Sequence, residues 1–312
     1  MTRAQFVGID VSKRQLEVHI HEQAASREFG NDPDGIRTLV ERMQASEPEL
    51  IVFEATGGYE RRAAKALRDA GFAVAVVNPT RVRRLAEAMG ILAKTDKIDA
   101  KIIACFAALI QPAANGQQTP LEGQLAAAVE RRRQLLVMVT AEKNRLSTCP
   151  ECIQEDIQMH VAWLEERIKI LEDEIQTFIS LNPVWRERAE IIDSVPGVGV
   201  VTVSTMIADL PELGLLNRQK IAALVGLAPF NKDSGPKKGK RRIYGGRDAI
   251  RRTLYMAALS ASKHNPVIRD FYHSLLDRGK EKKVALTACM RKLLVIINAM
   301  VRKGEVWQLS PP

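Results

Sequence analysis

The chain has 312 residues, 46% hydrophobic and only 5% aromatic, enough to fill two compact cores built mainly on aliphatic side chains. Its net charge of +9 is one-sided: residues 183–312 carry 23 Lys and Arg against 11 Asp and Glu, and residues 1–182 carry 23 against 26. That imbalance assigns polyanion binding to the C-terminal half. Four cysteines argue against a disulfide framework, and the sequence shows neither an apolar run near the roughly 20 residues of a bilayer span nor a secretory signal. The expectation is a cytoplasmic protein with no membrane partner.

Residues 4–10 and 15–21 are predicted as two strands of a hairpin turning at Ser12-Lys13-Arg14. A short strand over 26–29 and a helix over 33–44 follow, then a buried strand over 50–53, a helix over 59–70 and a strand over 72–77. Three strands followed by β-α-β is the order of an RNase H-like domain, here residues 1–120. Helices are expected over 81–88 and 96–109. Residues 121–182 form a helical segment with apolar positions at Ile157, Val161, Leu164, Ile168, Leu171, Ile175 and Phe178, spaced by four and three. This seam fits both an antiparallel helix pair within one chain and a coiled coil between chains. After Asn182-Pro183, residues 183–312 are expected to be helical, with turns at Pro196-Gly197, Asp233-Ser234-Gly235 and Gly245-Gly246.

Within this order Asp10 ends the first strand and Glu54 the fourth, so neighbouring strands deliver two carboxylates to one sheet edge. Asp96 and Asp99, three apart at a helix start, share a face. Each acid alone has a plainer role, a turn former or an N-cap. Together, hard oxygen donors in this number suit Mg²⁺ or Mn²⁺ and phosphoryl transfer. Glu60 is the weaker candidate, cut off by the Gly57-Gly58 turn. Cys149-Pro150-Glu151-Cys152 has only His160 near it and is expected to be a reduced turn between helices.

In the C-terminal half, Ser194-Val195-Pro196-Gly197-Val198-Gly199 has the form of a helix-hairpin-helix, in which Pro196, Gly197 and Gly199 bring backbone N–H groups to a phosphate. Ser234 stands beside Lys237, Lys238, Lys240, Arg241 and Arg242, a setting suited to a scissile phosphate, and Arg247, Arg251 and Arg252 continue the basic face. Tyr255 is a second hydroxyl, expected to pack.

Gly8-Ile9-Asp10-Val11-Ser12-Lys13, Glu54-Ala55-Thr56-Gly57, Lys94-Thr95-Asp96 with Asp99-Ala100, residues 194–199, Gly226-Leu227-Ala228-Pro229, Asp233-Ser234-Gly235 and Arg251-Arg252-Thr253-Leu254-Tyr255-Met256 occur in one order. In these the chain resembles the DEDD transposases of bacterial insertion sequences, relatives of Piv-type DNA invertases and of bridge-RNA-guided recombinases. The resemblance implies a RuvC-like domain binding metal through Asp10, Glu54, Asp96 and Asp99, a coiled-coil assembly segment, and a C-terminal transposase domain bearing Ser234. It further implies a covalent 5′-phosphoserine link to donor and target DNA, a homodimer or tetramer with sites completed between protomers, and a non-coding bridge RNA. Arg247 departs from the small polar residue expected of the family after Gly245-Gly246. A RuvC-like junction nuclease using water, an actin-like ATPase or sugar kinase, and a non-catalytic RNA-binding protein are the rivals. The ATPase reading lacks Gly-rich nucleotide loops, and the RNA-binding reading leaves four acids unexplained.

Overall fold

Alternating apolar residues build the first sheet. Val7, Ile9 and Val11 of β1 (Phe6–Val11) and Leu16, Val18 and Ile20 of β2 (Gln15–Ile20) enter one core, while Phe6 enters the other. With β3 (Arg27–Gly30), β4 (Leu50–Glu54) and β5 (Val74–Val77) they form a mixed sheet ordered β3-β2-β1-β4-β5. β1 pairs antiparallel with β2 and parallel with β4. Helices α1 (Pro33–Ser46) and α2 (Arg61–Asp69) cover one face, α3 (Pro79–Ala88) and α4 (Asp96–Ile110) the other. This computed structural model describes residues 5–91, 93, 95–114, 116, 119–230 and 242–308, and it divides into two compact units, Met1–Gln118 and Thr119–Pro312.

One contact fixes α4 on the sheet. A Cβ at Gly8 would lie 2.1 Å from the Ala104 nitrogen and 2.4 Å from the Ala100 oxygen, so helix backbone rests directly on strand backbone. Thr95 caps α4 by accepting from Ile98 N at 3.3 Å, which leaves Asp96 and Asp99 inside the first turn instead of consumed as caps.

The second unit is helical, as expected, apart from one short ladder. A Thr119–Glu122 capping box starts α5 (Pro120–Leu146), which turns at Cys149-Pro150 into α6 (Glu151–Leu181). The heptad seam is used within the chain. Leu164, Ile168, Leu171 and Ile175 join Leu125, Val129, Leu135 and Val139 in one core, and Arg132 Nε donates across to Glu172 at 2.8 Å. Its last buried member is Ile179; Phe178 is only half-buried. Asn182 ends α6 and caps α7 (Pro183–Asp193). Then come α8 (Val200–Asp209), α9 (Arg218–Val225), α10 (Asp248–His264), α11 (Pro266–Asp277) and α12 (Lys282–Lys303). α12 is long and apolar enough to cross a membrane by length and composition alone, with its charges at the ends and at Arg291-Lys292, which interrupt the apolar run. Its Leu286, Leu293, Leu294 and Ile297 lie in the helical core, and Asn298 Oδ1 accepts from Gly214 N at 2.9 Å. The ladder, β6 (Pro229–Phe230) with β7 (Arg242–Ile243), departs from the all-helical expectation, since two residues per strand leave no periodicity to read.

Gly8→Ala should cost about 3 kcal/mol or more, because the clash is with backbone that no rotamer change relieves. Chemical denaturation should show this loss, and a variant within about 0.5 kcal/mol of the parent would contradict the packing described.

Candidate active site and nucleic-acid interface

Ile9 pairs with Phe53 in the parallel register of β1 and β4, so Asp10 and Glu54 are the next residues on neighbouring strands. Both share the alternation of Gly8 and Val52, which puts them on the α4 face of the sheet, and both are half-buried. Asp99, also half-buried, immediately precedes the Ala100 that rests on Gly8, and exposed Asp96 lies one turn earlier. Strand ends and helix start thus bring the four predicted acids to one end of one face. Among the described residues, no three or more His, Cys, Asp or Glu side chains are gathered as a ready metal site. Carboxylate oxygens are of the type that hard divalent cations prefer.

A fifth acid occupies the same face. Glu17 pairs with Asp10 in the β1–β2 register and is only 7% exposed. Burial pushes its carboxyl up from the ordinary value; Lys97 opposes this, Glu28 and Asp96 add to it, and the Ser26 hydroxyl opposes it. Its neighbour on that face, His19, bonds Ser26 Oγ at 3.1 Å and has its pKa lowered by burial and by Lys101 and His21. The tight turn at Ser12-Lys13-Arg14 places Glu17 opposite Asp10, and this hairpin register is the signal in the sequence that could have found it. Glu60 serves the loop instead, accepting from Thr56 N, Thr56 Oγ1 and Gly58 N at 3.2, 3.1 and 2.9 Å and so fixing the chain after Glu54.

In the second unit, Ser234, Lys237, Lys238, Lys240 and Arg241 lie outside the described residues. The segment holding them, 231–241, connects β6 to β7. The ladder is tied to the helical core just past β7. Arg247 donates both terminal nitrogens to Glu212 at 2.6 Å and one to Asp209 O at 2.8 Å. Arg251 bonds the Gly245 carbonyl and Asp248, and Arg252 pairs with Asp248 at 2.5 Å. Gly246, at φ 76°, comes so close to α9 that a Cβ there would lie 2.2 Å from Gly226 N. Burial alone would raise the Glu212 carboxyl, but the bonds from Arg247 and its own backbone, with the guanidinium charge, hold it below the ordinary value. Asp209 is raised instead, burial outweighing its bond to Arg133. Of the cations expected to touch nucleic acid, Arg247 and Arg251 are thus engaged in holding this stem, while Arg242 and Arg252 are exposed.

The helix-hairpin-helix segment joins α7 to α8. Gly197 has φ 90°, and a Cβ there would lie 2.5 Å from the Ala261 backbone of α10; Pro196 is half-buried beside it. Gly199, by contrast, opens α8 with no atom within 4 Å of such a Cβ. The groove beside it, about 410 Å³, is lined by Gly199, Val200, Val201 and Thr202 and by Glu172, Asp173 and Gln176 of α6. At the α5–α6 turn Cys149 and Cys152 are free thiols, and His160 pairs with Glu142 at 3.4 Å.

Carboxylates on one sheet face and a helical unit with excess positive charge are what the geometry supplies; similarity to known proteins supplies the class. Residues 7–149 match the transposase family DEDD_Tnp_IS110, and residues 189–273 match the transposase IS116/IS110/IS902 family. The chain belongs to this family of transposases, which are DNA recombinases. It is 26% identical over 310 residues to the pilin gene-inverting protein of Moraxella bovis, covering 96% of each chain. It is also 30% identical over 191 residues to the IS116 uncharacterized 44.8 kDa protein of Streptomyces clavuligerus, covering 60% of this chain and 45% of that one.

Because the Glu212 pKa is lowered on folding, its contribution is present above the unfolded carboxylate value and is lost as pH falls through the folded one. Glu212→Gln should therefore lower stability by about 1–2 kcal/mol at pH 7, between the exposed and buried limits for ion pairs. The gap to the parent should narrow below about pH 4, as thermal melts across pH will show.

Proposed function

We propose that this transposase cuts and rejoins DNA through a phosphoserine at Ser234, with a divalent ion held by Asp10, Glu54, Asp96 and Asp99 in an RNase H-like N-terminal unit. The observation that carries the reading is the placement of Asp10 and Glu54 on adjoining strand ends, on the face that receives the start of α4. Strand order β3-β2-β1-β4-β5, antiparallel and then parallel, supports the RNase H-like assignment. The functional division is residues 1–120 for metal binding, 121–182 for assembly and 183–312 for DNA handling.

Ser234 Oγ attacks the scissile phosphorus, forming an O–P bond while the bond to the 3′ oxygen breaks. A 5′-phosphoserine and a free 3′-hydroxyl result. The serine proton passes to a carboxylate or water, and the departing oxygen takes one up. Rejoining reverses the step with another 3′-hydroxyl. Asp10, Glu54, Asp96 and Asp99 would hold Mg²⁺ or Mn²⁺, which would supply charge neutralisation for phosphoryl transfer. Lys237, Lys238, Lys240, Arg241 and Arg242 would hold the phosphate against Ser234. A homodimer or tetramer supplies the several nucleophiles that exchange between two duplexes requires, and a bridge RNA pairing with donor and target DNA supplies sequence choice, since phosphate contacts carry none.

Supercoiled plasmid bearing the element's ends, with Mg²⁺ and the bridge RNA, should yield a covalent adduct whose peptide maps to Ser234. Ser234→Ala should lower strand exchange by at least ~10³-fold while DNA binding persists. Asp10→Ala and Glu54→Ala should each abolish exchange and weaken Mn²⁺ binding measured by calorimetry. Cleavage without an adduct would sink the serine mechanism and favour a water-using nuclease.

A further inference from the structure

Two helices of the second unit carry a further stripe opposite the face they bury. On α6 the core side is Ile157, Val161, Leu164 and Ile168, and the side turned away holds Asp156, Met159, Trp163 and Glu166, spaced by three, four and three. All four are exposed, Met159 by 60% and Trp163 by 56%, although His160 stacks beside the Trp163 ring. On α10 the core side is Ile250, Leu254, Ala257 and Ala261, and the far side holds Arg252, Met256, Leu259 and Lys263, spaced by four, three and four. These four are exposed as well; Met256 is 62% exposed, and Arg252 pairs with Asp248 of its own helix. Within the chain α6 packs on α5, α7 and α8, and α10 packs on α8, α9, α11 and α12, which leaves both stripes in solvent.

The stripes complement one another. One runs acid, Met, Trp, acid, and the other cation, Met, Leu, cation. At about 1.5 Å of rise per residue, the two acids of α6 stand ~15 Å apart along the helix and the two cations of α10 ~16.5 Å, so opposite charges meet at both ends when the apolar centres meet. We infer that α6 of one protomer docks on α10 of a second copy, with Asp156 and Glu166 facing Arg252 and Lys263 across Met159, Trp163, Met256 and Leu259. A two-fold axis repeats the contact and closes a dimer. Charge selects this pairing: residues 151–181 hold eight Asp and Glu against two Lys and Arg, so α6 repels both a second α6 and a nucleic acid and attracts a basic helix. On α10 the two central side chains offer a phosphate no hydrogen-bond donor, whereas an apolar centre rimmed by charge is the make-up of a protein interface. The inference rests on the reading that this transposase works as a homo-oligomer. It names the surface for that role, since the heptad seam of α6 is already filled by α5.

Sedimentation velocity of the full-length protein over a concentration series tests the contact. Asp156→Lys with Glu166→Lys should raise the dimer dissociation constant at least ~30-fold, because like charges then face each other, and Arg252→Glu with Lys263→Glu should do the same. An equimolar mixture of these two double variants should associate again, since each meets opposite charge on the other at both contacts; a variant that had merely misfolded has no such rescue. Trp163→Ala should weaken the dimer at least ~10-fold by emptying the centre of the interface. A parent dimer that ignores both reversals, or a mixture that stays monomeric, would overturn the interface. Loss of duplex DNA binding on reversing Arg252 and Lys263, with sedimentation unchanged, would also overturn it and give the α10 stripe to nucleic acid. A parent protein that is monomeric at every concentration would reject the interface and the homo-oligomer together. A Ser234 adduct formed by a protein whose association ignores the reversals would reject the interface alone, and association through these stripes with no serine adduct would reject only the serine mechanism.

Discussion

Everything the N-terminal unit offers chemically depends on helix backbone meeting strand backbone at Gly8. With no side chain between them, α4 sits close enough for its first turn to join the end of the sheet where Asp10 and Glu54 emerge. A larger residue would lift the helix and carry Asp99 away. The same closeness explains why Glu17 is buried with Asp96 and Lys97 as its electrostatic neighbours. Burial is the main reason its carboxyl is raised above the ordinary value, and the Lys97 ammonium opposes that shift.

The C-terminal unit solves a different problem, that of holding a two-residue ladder firmly. Such a ladder has little stability of its own. Here Ile243 enters the core, Arg247 is locked to Glu212 and Arg251 reaches back to the Gly245 carbonyl. Arg247 and Arg251 therefore serve attachment, and the polyanion attraction inferred from net charge must come from the cations that remain exposed. Arg247 has a structural role in this chain through Glu212.

Much of the architecture is legible in the sequence because it rests on periodicity and punctuation: alternating strands, the Asn182-Pro183 stop and the four-three spacing from Ile157 to Ile175. Which partner the seam finds is not legible, since a heptad is equally satisfied by a neighbouring segment, here α5, or by another chain. The acids Asp10 and Glu54 are visible as strand ends. Glu17 is not, because its meaning depends on cross-strand register, and the hold of Glu60 on the loop after Glu54 emerges only from the folded backbone. The β6–β7 ladder escapes sequence reasoning because two residues carry no period.

The two hairpin glycines differ in a way that bears on how mutational scans of this protein are to be interpreted. A Cβ at Gly197 would lie 2.5 Å from the α10 backbone, whereas a Cβ at Gly199 would meet no atom within 4 Å. A Gly197 variant that no longer retains DNA will have lost the seating of α8 on α10, so its phenotype reports on folding. A Gly199 variant leaves that seating in place, and a defect there is evidence about the ligand. Two positions apart in the chain, the pair works as an internal control separating architecture from recognition.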